Sequence, residues 1–296
     1  QKRLGHHALA RIFLTMDVHQ YCQERAAASG SSFYYSFVFL PPDTRRAITA
    51  FYALCRELDD VVDECHESRL ALTKLDWWRE EIMRFAAGAP EHPATRALLD
   101  TAQGRNAPAA LLLEIVDGMA MDLEHLRYPD FKSLNLYCYR VAGVVGEVAA
   151  AIFGGARSAD DRAVRRYAHE LGLAFQLTNI IRDVGEDARR GRIYLPQDEL
   201  ARFGAREADI LDGVATPAFQ ALMQFQFERA AACYERAFAA LPASARHAQR
   251  PGLVMAAIYR TLLNEIRRAE FPVLRARVSL TPMRKLWLAS KTWLFP

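Results

Sequence analysis

Two stretches of this chain each place polar side chains along one face of a predicted helix. In the first stretch these residues stand at offsets 0, 4, 7 and 11: Tyr52, Arg56, Asp59 and Asp63. In the second the offsets are 0, 3, 7 and 11: Gln176, Asn179, Asp183 and Asp187. Because residues at these spacings share a helix face, each helix carries two aspartates one turn apart.

Paired aspartates of this kind need a compensating positive charge. Like charges four residues apart destabilise a helix by roughly 0.2–0.5 kcal/mol. Mg²⁺ takes oxygen ligands and is usually held by one or two carboxylates plus substrate phosphate oxygens. Two facing pairs would therefore hold a diphosphate through bridging metal ions. A single Asp-x-x-x-Asp is more often a solvated or ion-paired face, but its recurrence on two amphipathic helices favours the metal site.

Composition predicts one large helical domain. The 296 residues show no compositional break, and a hydrophobic fraction of 51% is enough for an extensive core. A formal net charge of +3 without a clustered basic face argues against nucleic acid as a partner. Residues 1–15 contain three basic and no acidic side chains. We treat them as a leader or expression remnant, expected to be disordered, and assign residues 16–296 to the domain.

Cysteine usage and hydropathy indicate the compartment. The five cysteines are odd in number and lack Cys-x-x-Cys spacing, which argues against a disulfide framework or a zinc site. No uncharged apolar stretch reaches the ~18–20 residues that span a bilayer. The nearest candidate, residues 141–155, is interrupted by Glu147. We therefore expect a cytoplasmic protein, with any contact at the inner membrane face being peripheral.

Hydrophobic periodicity predicts helices over most of the chain and no sheet. Besides the two acidic stretches, helices are expected over residues 17–28, 70–87, 108–126, 134–153, 217–240 and 245–270. In the segment 108–126 the expected apolar stripe consists of Leu112, Ile115, Met119, Leu123 and Leu126. Asp122 and Glu124 are expected to lie outside that stripe.

Three segments have two interpretations each. The serine and glycine run 29–32 suits a turn or helix cap, or an anion contact beside an apolar pocket. Gly143 and Gly146, costly in a helix at about 1 kcal/mol each, suit close helix packing or a slender substrate against bare backbone. The basic segment 188–196 either balances the adjacent acids or forms a flap over a bound diphosphate.

Four motifs together resemble the squalene/phytoene synthase family of head-to-head prenyl synthases. They are Asp59-Asp-Val-Val-Asp63, Tyr137-Cys-Tyr-Arg-Val-Ala-Gly-Val-Val-Gly146, Asn179-Ile-Ile-Arg-Asp-Val-Gly-Glu-Asp187 and Arg192-Ile-Tyr-Leu-Pro196. The resemblance covers nearly all of the chain from Met16 onward. Ser29-Gly-Ser-Ser-Phe-Tyr-Tyr35, Gln197-Asp-Glu-Leu200 and Arg250-Pro-Gly252 are further similar to the bacterial presqualene diphosphate synthases of the hopanoid route.

The resemblance implies an all-α isoprenoid synthase fold, in a single domain with a central cavity. It implies Mg²⁺, with Mn²⁺ as an alternative, on five ligands: Asp59, Asp63, Asn179, Asp183 and Asp187. Ten substrate-binding residues are implied as well: Ser32, Arg56, Tyr139, Gln176, Asn179, Arg182, Arg192, Tyr194, Tyr259 and Arg277. The four aspartates are expected to be catalytic together with Tyr52.

The implied activity joins two molecules of farnesyl diphosphate into presqualene diphosphate and pyrophosphate. Metal ions and arginines would stabilise the departing diphosphate, and apolar helical walls would keep water from the allylic cation. A proton is then lost to Tyr52 or to the diphosphate itself, and the sequence leaves both acceptors open. Functional coupling to other hopanoid-pathway enzymes is a further implied association.

Three alternatives accompany this hypothesis. A squalene synthase would continue by reduction with NADPH, for which no Gly-rich nicotinamide turn is visible, and we expect no NADPH requirement. A phytoene synthase would use geranylgeranyl diphosphate. A non-catalytic helical scaffold would keep its cellular function when Asp59 and Asp183 are replaced by alanine.

Overall fold

A computed structural model describes residues 17–28, 36–37, 39–65, 67–155 and 161–295. Within these ranges the chain is helical and contains no strand, so the prediction of an all-α fold is confirmed. Besides helices and loops, these ranges contain an isolated parallel β-bridge between Arg127 and Ile193. Ser32, named above as a substrate contact, lies outside the described residues.

The helices follow one another along the chain, joined by short loops. Those of the first half are α1 (Val18–Ala28), α2 (Pro42–Asp63), α3 (Ser68–Ala86), α4 (Pro93–Leu99), α5 (Ala109–Glu124), α6 (Phe131–Cys138) and α7 (Val144–Gly154). Those of the second half are α8 (Arg162–Arg189), α9 (Gln197–Phe203), α10 (Glu207–Leu211), α11 (Pro217–Ala240), α12 (Arg250–Arg268) and α13 (Pro282–Leu294). The acidic stretches therefore lie on α2 and α8, as predicted.

Local sequence sets where these helices begin. The Asp161 carboxylate accepts a hydrogen bond from the amide of Ala163 at 2.8 Å and caps α8. Thr216 caps α11 in the same way, and Pro217 occupies its first turn, where no backbone donor is needed. Pro42 likewise begins α2. The two helices that carry the acidic residues thus start at fixed points, which sets the positions of their aspartates.

Two core clusters pack on either side of a central space. One gathers around α8, α11 and α12, and the other around α2, α3 and α5. Helices α6 and α7 are joined by a π-helical turn, Tyr139–Gly143, and this continuous rod packs against α8. The rod is long and apolar enough to cross a membrane by length and composition, but Leu134, Val148 and Ile152 on it are buried in the core.

Glycines allow the rod to approach α8 closely. A Cβ at Gly172 of α8 would lie 2.3 Å from the carbonyl oxygen of Ala142, and one at Gly146 would lie 2.6 Å from that of Ala168. The atoms in the way belong to the backbone and cannot move aside without disturbing the helix, so both positions require glycine. Close helix packing therefore accounts for Gly146. Since Gly146 and Gly172 also line the central cavity, bare backbone faces that space as well.

The buried face of α5 differs from the predicted stripe. Leu112, Ile115 and Met119 are buried as expected, but Leu126 is exposed and Asp122 is buried. The expectation that Asp122 lies outside the buried stripe was therefore wrong. Asp122 follows Met119 by three residues and so remains on the same helix face, whereas Leu126 follows the end of α5 at Glu124.

Candidate active site

A cavity of about 540 Å³ lies between α2 and α8. Much of its wall is apolar, with side chains from five helices: Phe51, Ile115, Val145, Phe175, Met255 and Leu262. Polar residues from the two acidic helices interrupt this wall: Tyr52, Arg56, Asp59, Gln176, Asn179 and Arg182. The arrangement combines a largely apolar space with a polar region where charge can be held.

A smaller polar cleft of about 180 Å³ adjoins the cavity. Asp59 and Asp63 reach it from α2, and Asp187 reaches it from α8. Asp59 lines both spaces, which joins the cleft to the apolar cavity. The structure therefore brings three of the four predicted catalytic aspartates to one cleft, as the spacing on the two helices predicts.

Burial, together with neighbouring carboxylates, leaves two of the aspartates poorly stabilised as anions. Burial raises the pKa of Asp59 to about 7, against the opposing charge of Arg56 and with a further contribution from Asp63. Burial likewise raises the pKa of Asp187 to about 7, helped by the charges of Asp183 and Glu186. A cation bound in the cleft would stabilise both carboxylates.

Asp183 is held differently from its neighbours. Arg182 donates to its Oδ1 at 2.7 Å, and Arg277 donates to the same oxygen at 2.9 Å. Burial alone would raise the pKa of this carboxyl, but the two arginines lower it below its ordinary value. Asp183 does not line the cleft or the cavity as these stand among the described residues. In this state its carboxylate positions two arginines.

Those arginines belong to a cationic group on the cavity wall. Arg182 and Arg277 both line the cavity, and so does Lys285 from α13. Burial lowers the pKa of the Lys285 amine, and the charges of Arg182 and Arg277 lower it further. Three cations that repel one another beside an apolar cavity are suited to a polyanion such as a diphosphate. Lys285 lies beyond the resembling motifs, and no sequence pattern predicted its role.

Aromatic residues and amides complete the wall. Tyr259, predicted to face the substrate, is buried, hydrogen-bonded with Arg182, and packed against the ring of Phe175 at 4.9 Å between centroids. Tyr52 lines the cavity, and its ring lies 6.3 Å from that of Phe37. Gln176 and Asn179 line it as well.

The basic segment after α8 covers the polar cleft. Its Arg190 and Arg192 guanidinium groups lie 3.7 and 4.0 Å from the Asp63 carboxylate. The segment is anchored at two points: Arg127 donates to the Gly191 carbonyl at 2.7 Å, and the Ile193 amide donates to the Leu126 carbonyl at 3.2 Å. Gly191 adopts a positive φ of 76° that favours glycine and allows the turn.

Two cleft residues escaped the sequence analysis. Asp122 of α5 accepts hydrogen bonds from the hydroxyls of Tyr137 at 2.9 Å and Tyr194 at 2.7 Å. Asp122 and Tyr137 line both the cleft and the cavity. The sequence did contain a signal for Asp122, since it shares a helix face with Leu112, Ile115 and Met119. A lone carboxylate on a buried apolar stripe needs a specific partner.

Tyr139, predicted as a substrate contact, is placed elsewhere. Its ring lies 5.4 Å from that of His169, and Tyr139 is not among the residues that line the cavity or the cleft. Tyr137, two positions earlier, reaches both spaces instead. Because residues two apart point to different sides of a helix, only one of these tyrosines can face the site.

Comparison with known proteins identifies the family. Residues 26–284 match the squalene/phytoene synthase family. The chain belongs to that family. A dehydrosqualene synthase solved in complex with a ligand superposes with a TM-score of 0.79 at 28% identity, covering 94% of this chain and 96% of that one. The prediction of an isoprenoid synthase fold is thereby confirmed.

The named proteins that this chain resembles are described as different synthases. The phytoene synthase of Arthrospira platensis is 38% identical over 279 residues, 91% of this chain and 90% of that protein. The chloroplastic phytoene synthase of Narcissus pseudonarcissus is 36% identical over 93% of this chain, which spans 66% of that longer protein. The squalene synthase HpnC of Alicyclobacillus acidocaldarius superposes with a TM-score of 0.74 at 28% identity, over 86% of this chain and 94% of its own.

Members of the squalene/phytoene synthase family typically use a divalent metal to ionise a diphosphate. Among the described residues, no three His, Cys, Asp or Glu side chains stand close enough to hold a metal ion by themselves. The site fits an ion whose remaining ligands come from a diphosphate. Asn179 Oδ1 is buried and accepts no hydrogen bond from any described residue. Such an orphaned amide oxygen beside carboxylates is a ligand that Mg²⁺ accepts.

Proposed function

We propose that this protein condenses two molecules of farnesyl diphosphate head to head, yielding presqualene diphosphate and pyrophosphate. The observation that carries the proposal is the junction of the polar cleft with the apolar cavity at Asp59. Diphosphates need the first environment and prenyl chains need the second. The family membership supports head-to-head condensation, and the three motifs that resemble presqualene diphosphate synthases support the specific product.

Ionisation of the first substrate is assigned to the polar cleft and the cationic group. Mg²⁺ or Mn²⁺, shared between the diphosphate and Asp59, Asp63, Asn179, Asp183 and Asp187, would neutralise charge on the departing oxygens. Arg56 and Arg182 line the cavity beside that region and orient the diphosphate. Arg192 approaches the cleft from the covering segment. Arg277, in the segment before α13, lines the cavity. The C1–O bond breaks and its electrons leave with the diphosphate.

The apolar wall protects the allylic cation. Phe175 and Tyr259 lie against each other on the cavity wall, and Met255 and Leu262 extend that wall along α12. Water is excluded, so the cation is not trapped as an alcohol. The double bond of the second farnesyl diphosphate attacks C1 of the cation. Loss of one proton closes the cyclopropane, and either Tyr52 or the departing diphosphate accepts that proton.

Phytoene synthase activity on geranylgeranyl diphosphate is the second candidate. The curated relatives at 36–38% identity carry that name, which favours it over squalene synthase. The proposal of the shorter substrate depends on three stretches of which one, residues 29–35, lies outside the described residues. The reduction by NADPH that a squalene synthase requires is not part of the proposal.

Product identification separates these candidates. The purified protein is incubated with Mg²⁺ and either farnesyl or geranylgeranyl diphosphate, with and without NADPH, and the lipids are identified by mass spectrometry. Presqualene diphosphate formed from farnesyl diphosphate regardless of NADPH supports the proposal. Phytoene from geranylgeranyl diphosphate supports the second candidate, and squalene formed only with NADPH would favour a squalene synthase. Undiminished cellular function of Asp59→Ala and Asp183→Ala variants would instead favour the scaffold.

A further inference from the structure

The outer face of α13 is an apolar stripe that no described residue covers. Met283, Leu286, Trp287 and Leu294 stand three, four and seven residues apart and so share one helix face. Their exposed fractions are 84%, 50%, 58% and 68%. The helix is held to the protein through Ala289, which is buried, and through Leu288 and Trp293, which pack on the core. The exposure therefore belongs to a well-seated helix.

The stripe continues beyond the end of α13. Phe295 is 79% exposed, and Phe39 stacks on Trp293 with ring centroids 5.3 Å apart while remaining partly exposed. A contiguous exposed apolar area of this kind on a soluble protein indicates an interaction surface. We call this surface the α13 face; it consists of Met283, Leu286, Trp287, Leu294 and Phe295, with Phe39 at its edge.

The charged residues of the segment that carries the α13 face are all basic. Residues 271–295 contain five basic and no acidic side chains. Lys291 lies beside the stripe, with its ammonium group 5.1 Å from the centre of the Trp287 ring. Arg284 lies on the same flank and is paired with Glu265 of α12. Tryptophan and leucine on one face with lysine or arginine beside them are the composition of helices that lie in a membrane interface.

The α13 face also adjoins the entrance of the cavity. Leu280 and Lys285 line the cavity, and Met283 lies between them in sequence. Arg277 lines the cavity while 58% of its side chain is exposed, so the cavity reaches the surface beside the start of α13. Contact between the α13 face and a lipid bilayer would place the cavity entrance beside the bilayer, in which prenyl chains dissolve.

We propose that the α13 face docks the protein on an anionic lipid bilayer. Leu286, Trp287 and Leu294 enter the region between headgroups and acyl chains, and Lys291 remains at the depth of the headgroup phosphates. The bilayer is chosen over a second copy of the chain because two copies would bring like-charged flanks together, whereas anionic headgroups complement them. Docking does not depend on which prenyl diphosphate is the substrate.

Vesicle flotation tests this proposal. The full chain is mixed with phosphatidylcholine vesicles, with and without phosphatidylglycerol, and the bound fraction is measured without substrate. We expect binding that increases with phosphatidylglycerol and decreases with salt. The double variant Leu286→Gln/Trp287→Gln should lose roughly tenfold or more of its partition coefficient, because two apolar side chains no longer enter the bilayer. Leu70→Gln/Met83→Gln is the matched control, since both residues are exposed on α3, and it should bind like the wild type.

Further measurements keep the outcomes distinct. Circular dichroism must show the same melting temperature for both double variants, and activity on detergent-dispersed substrate should be retained by Leu286→Gln/Trp287→Gln. If that variant melts early, Lys291→Glu replaces it, and reduced binding to anionic vesicles is again expected. Absence of wild-type binding, or equal binding by the wild type and the folded variants, would overturn the proposal. Sedimentation velocity that shows a wild-type dimer and a variant monomer would assign the α13 face to a second copy instead.

Discussion

The Tyr194 hydroxyl donates a hydrogen bond to Asp122 at 2.7 Å and thereby connects the segment after α8 to the last turn of α5. Both residues are buried, and Tyr137 donates to the other oxygen of the same carboxylate at 2.9 Å. The rings of Tyr137 and Tyr194 stack with centroids 5.4 Å apart. Asp122 therefore anchors the basic segment that covers the polar cleft to α5.

Removing the Tyr194 hydroxyl should loosen that cover. We expect Tyr194→Phe to lower the free energy of unfolding by about 1–3 kcal/mol, because a buried carboxyl loses a donor. Product formation should decrease as well, since Arg192 is held two residues away. Chemical denaturation and a product assay measure the two effects. Tyr128→Phe is the control. The buried Tyr128 hydroxyl makes no hydrogen bond with any described residue, so its removal should change the free energy of unfolding little. Equal losses in the two variants would contradict a specific role for Tyr194.

The two tyrosines of the π-helical turn region should respond differently to loss of their hydroxyls. Tyr137 lines the cavity and donates to Asp122, whereas Tyr139 packs against His169 away from both spaces. We expect Tyr137→Phe to reduce kcat by roughly tenfold, because the Asp122 carboxylate on the cavity wall loses a donor that orients it, and Tyr139→Phe to have little effect. Steady-state kinetics under saturating Mg²⁺ compare the two. A larger effect at Tyr139 would restore the assignment made from sequence.

Lys285 should contribute to diphosphate affinity. Replacing it with methionine keeps most of the length of the side chain and removes one of the four cations on the cavity wall, the others being Arg56, Arg182 and Arg277. We expect pyrophosphate to bind roughly tenfold more weakly, a loss typical of one charge-assisted contact. Isothermal titration calorimetry with Mg²⁺ present provides the measurement. Lys291→Met on the same helix is the control, because Lys291 does not line the cavity. Unchanged affinity in Lys285→Met would remove this residue from the site.

The raised pKa values of Asp59 and Asp187 predict how stability of the metal-free protein changes with pH. Each carboxyl titrates near 7 in the fold and near 3.8 ordinarily. Between these values the folded state binds more protons than the unfolded state, so stability falls as pH rises from about 4 to about 7. Asp59→Asn/Asp187→Asn should remove much of this fall and melt roughly 3 °C or more above the wild type at about pH 8. Identical pH profiles by differential scanning calorimetry would contradict the assignment.

The sequence predicted the helices and the cleft residues Asp59, Asp63 and Asp187, because both depend on local spacing. Offsets of 7 and 11 place Asp59, Asp63 and Asp187 on helix faces that turn toward each other once the helices pack. Asp183 shares those offsets, yet Arg277, 94 residues away along the chain, holds its carboxylate in the structure. That contact depends on how α13 and its preceding segment fold back, which periodicity does not encode.

Asp122, Tyr137 and Lys285 were missed for a related reason. Each acquires its role from a partner that is distant in sequence: Asp122 from Tyr194, Tyr137 from Asp122, and Lys285 from the arginines beside it on the cavity wall. A carboxylate on an apolar stripe indicated that something unusual occurs at Asp122, but its partners become evident only when α5, α6 and the segment after α8 are placed together. The spacing of the polar residues on α2 and α8, by contrast, can be read within each helix.

The central claim is that aspartates from α2 and α8 jointly hold a metal-bound diphosphate, and calorimetric titration with pyrophosphate tests it most directly. We expect wild-type protein to bind pyrophosphate with Mg²⁺ and to lose most of that affinity when EDTA is added. Asp63→Ala and Asp187→Ala should each weaken the metal-dependent binding by at least about tenfold, while Asp76→Ala, at an exposed position on α3, should not. Pyrophosphate binding that is equally tight without metal, or unaffected by loss of either aspartate, would contradict the claim.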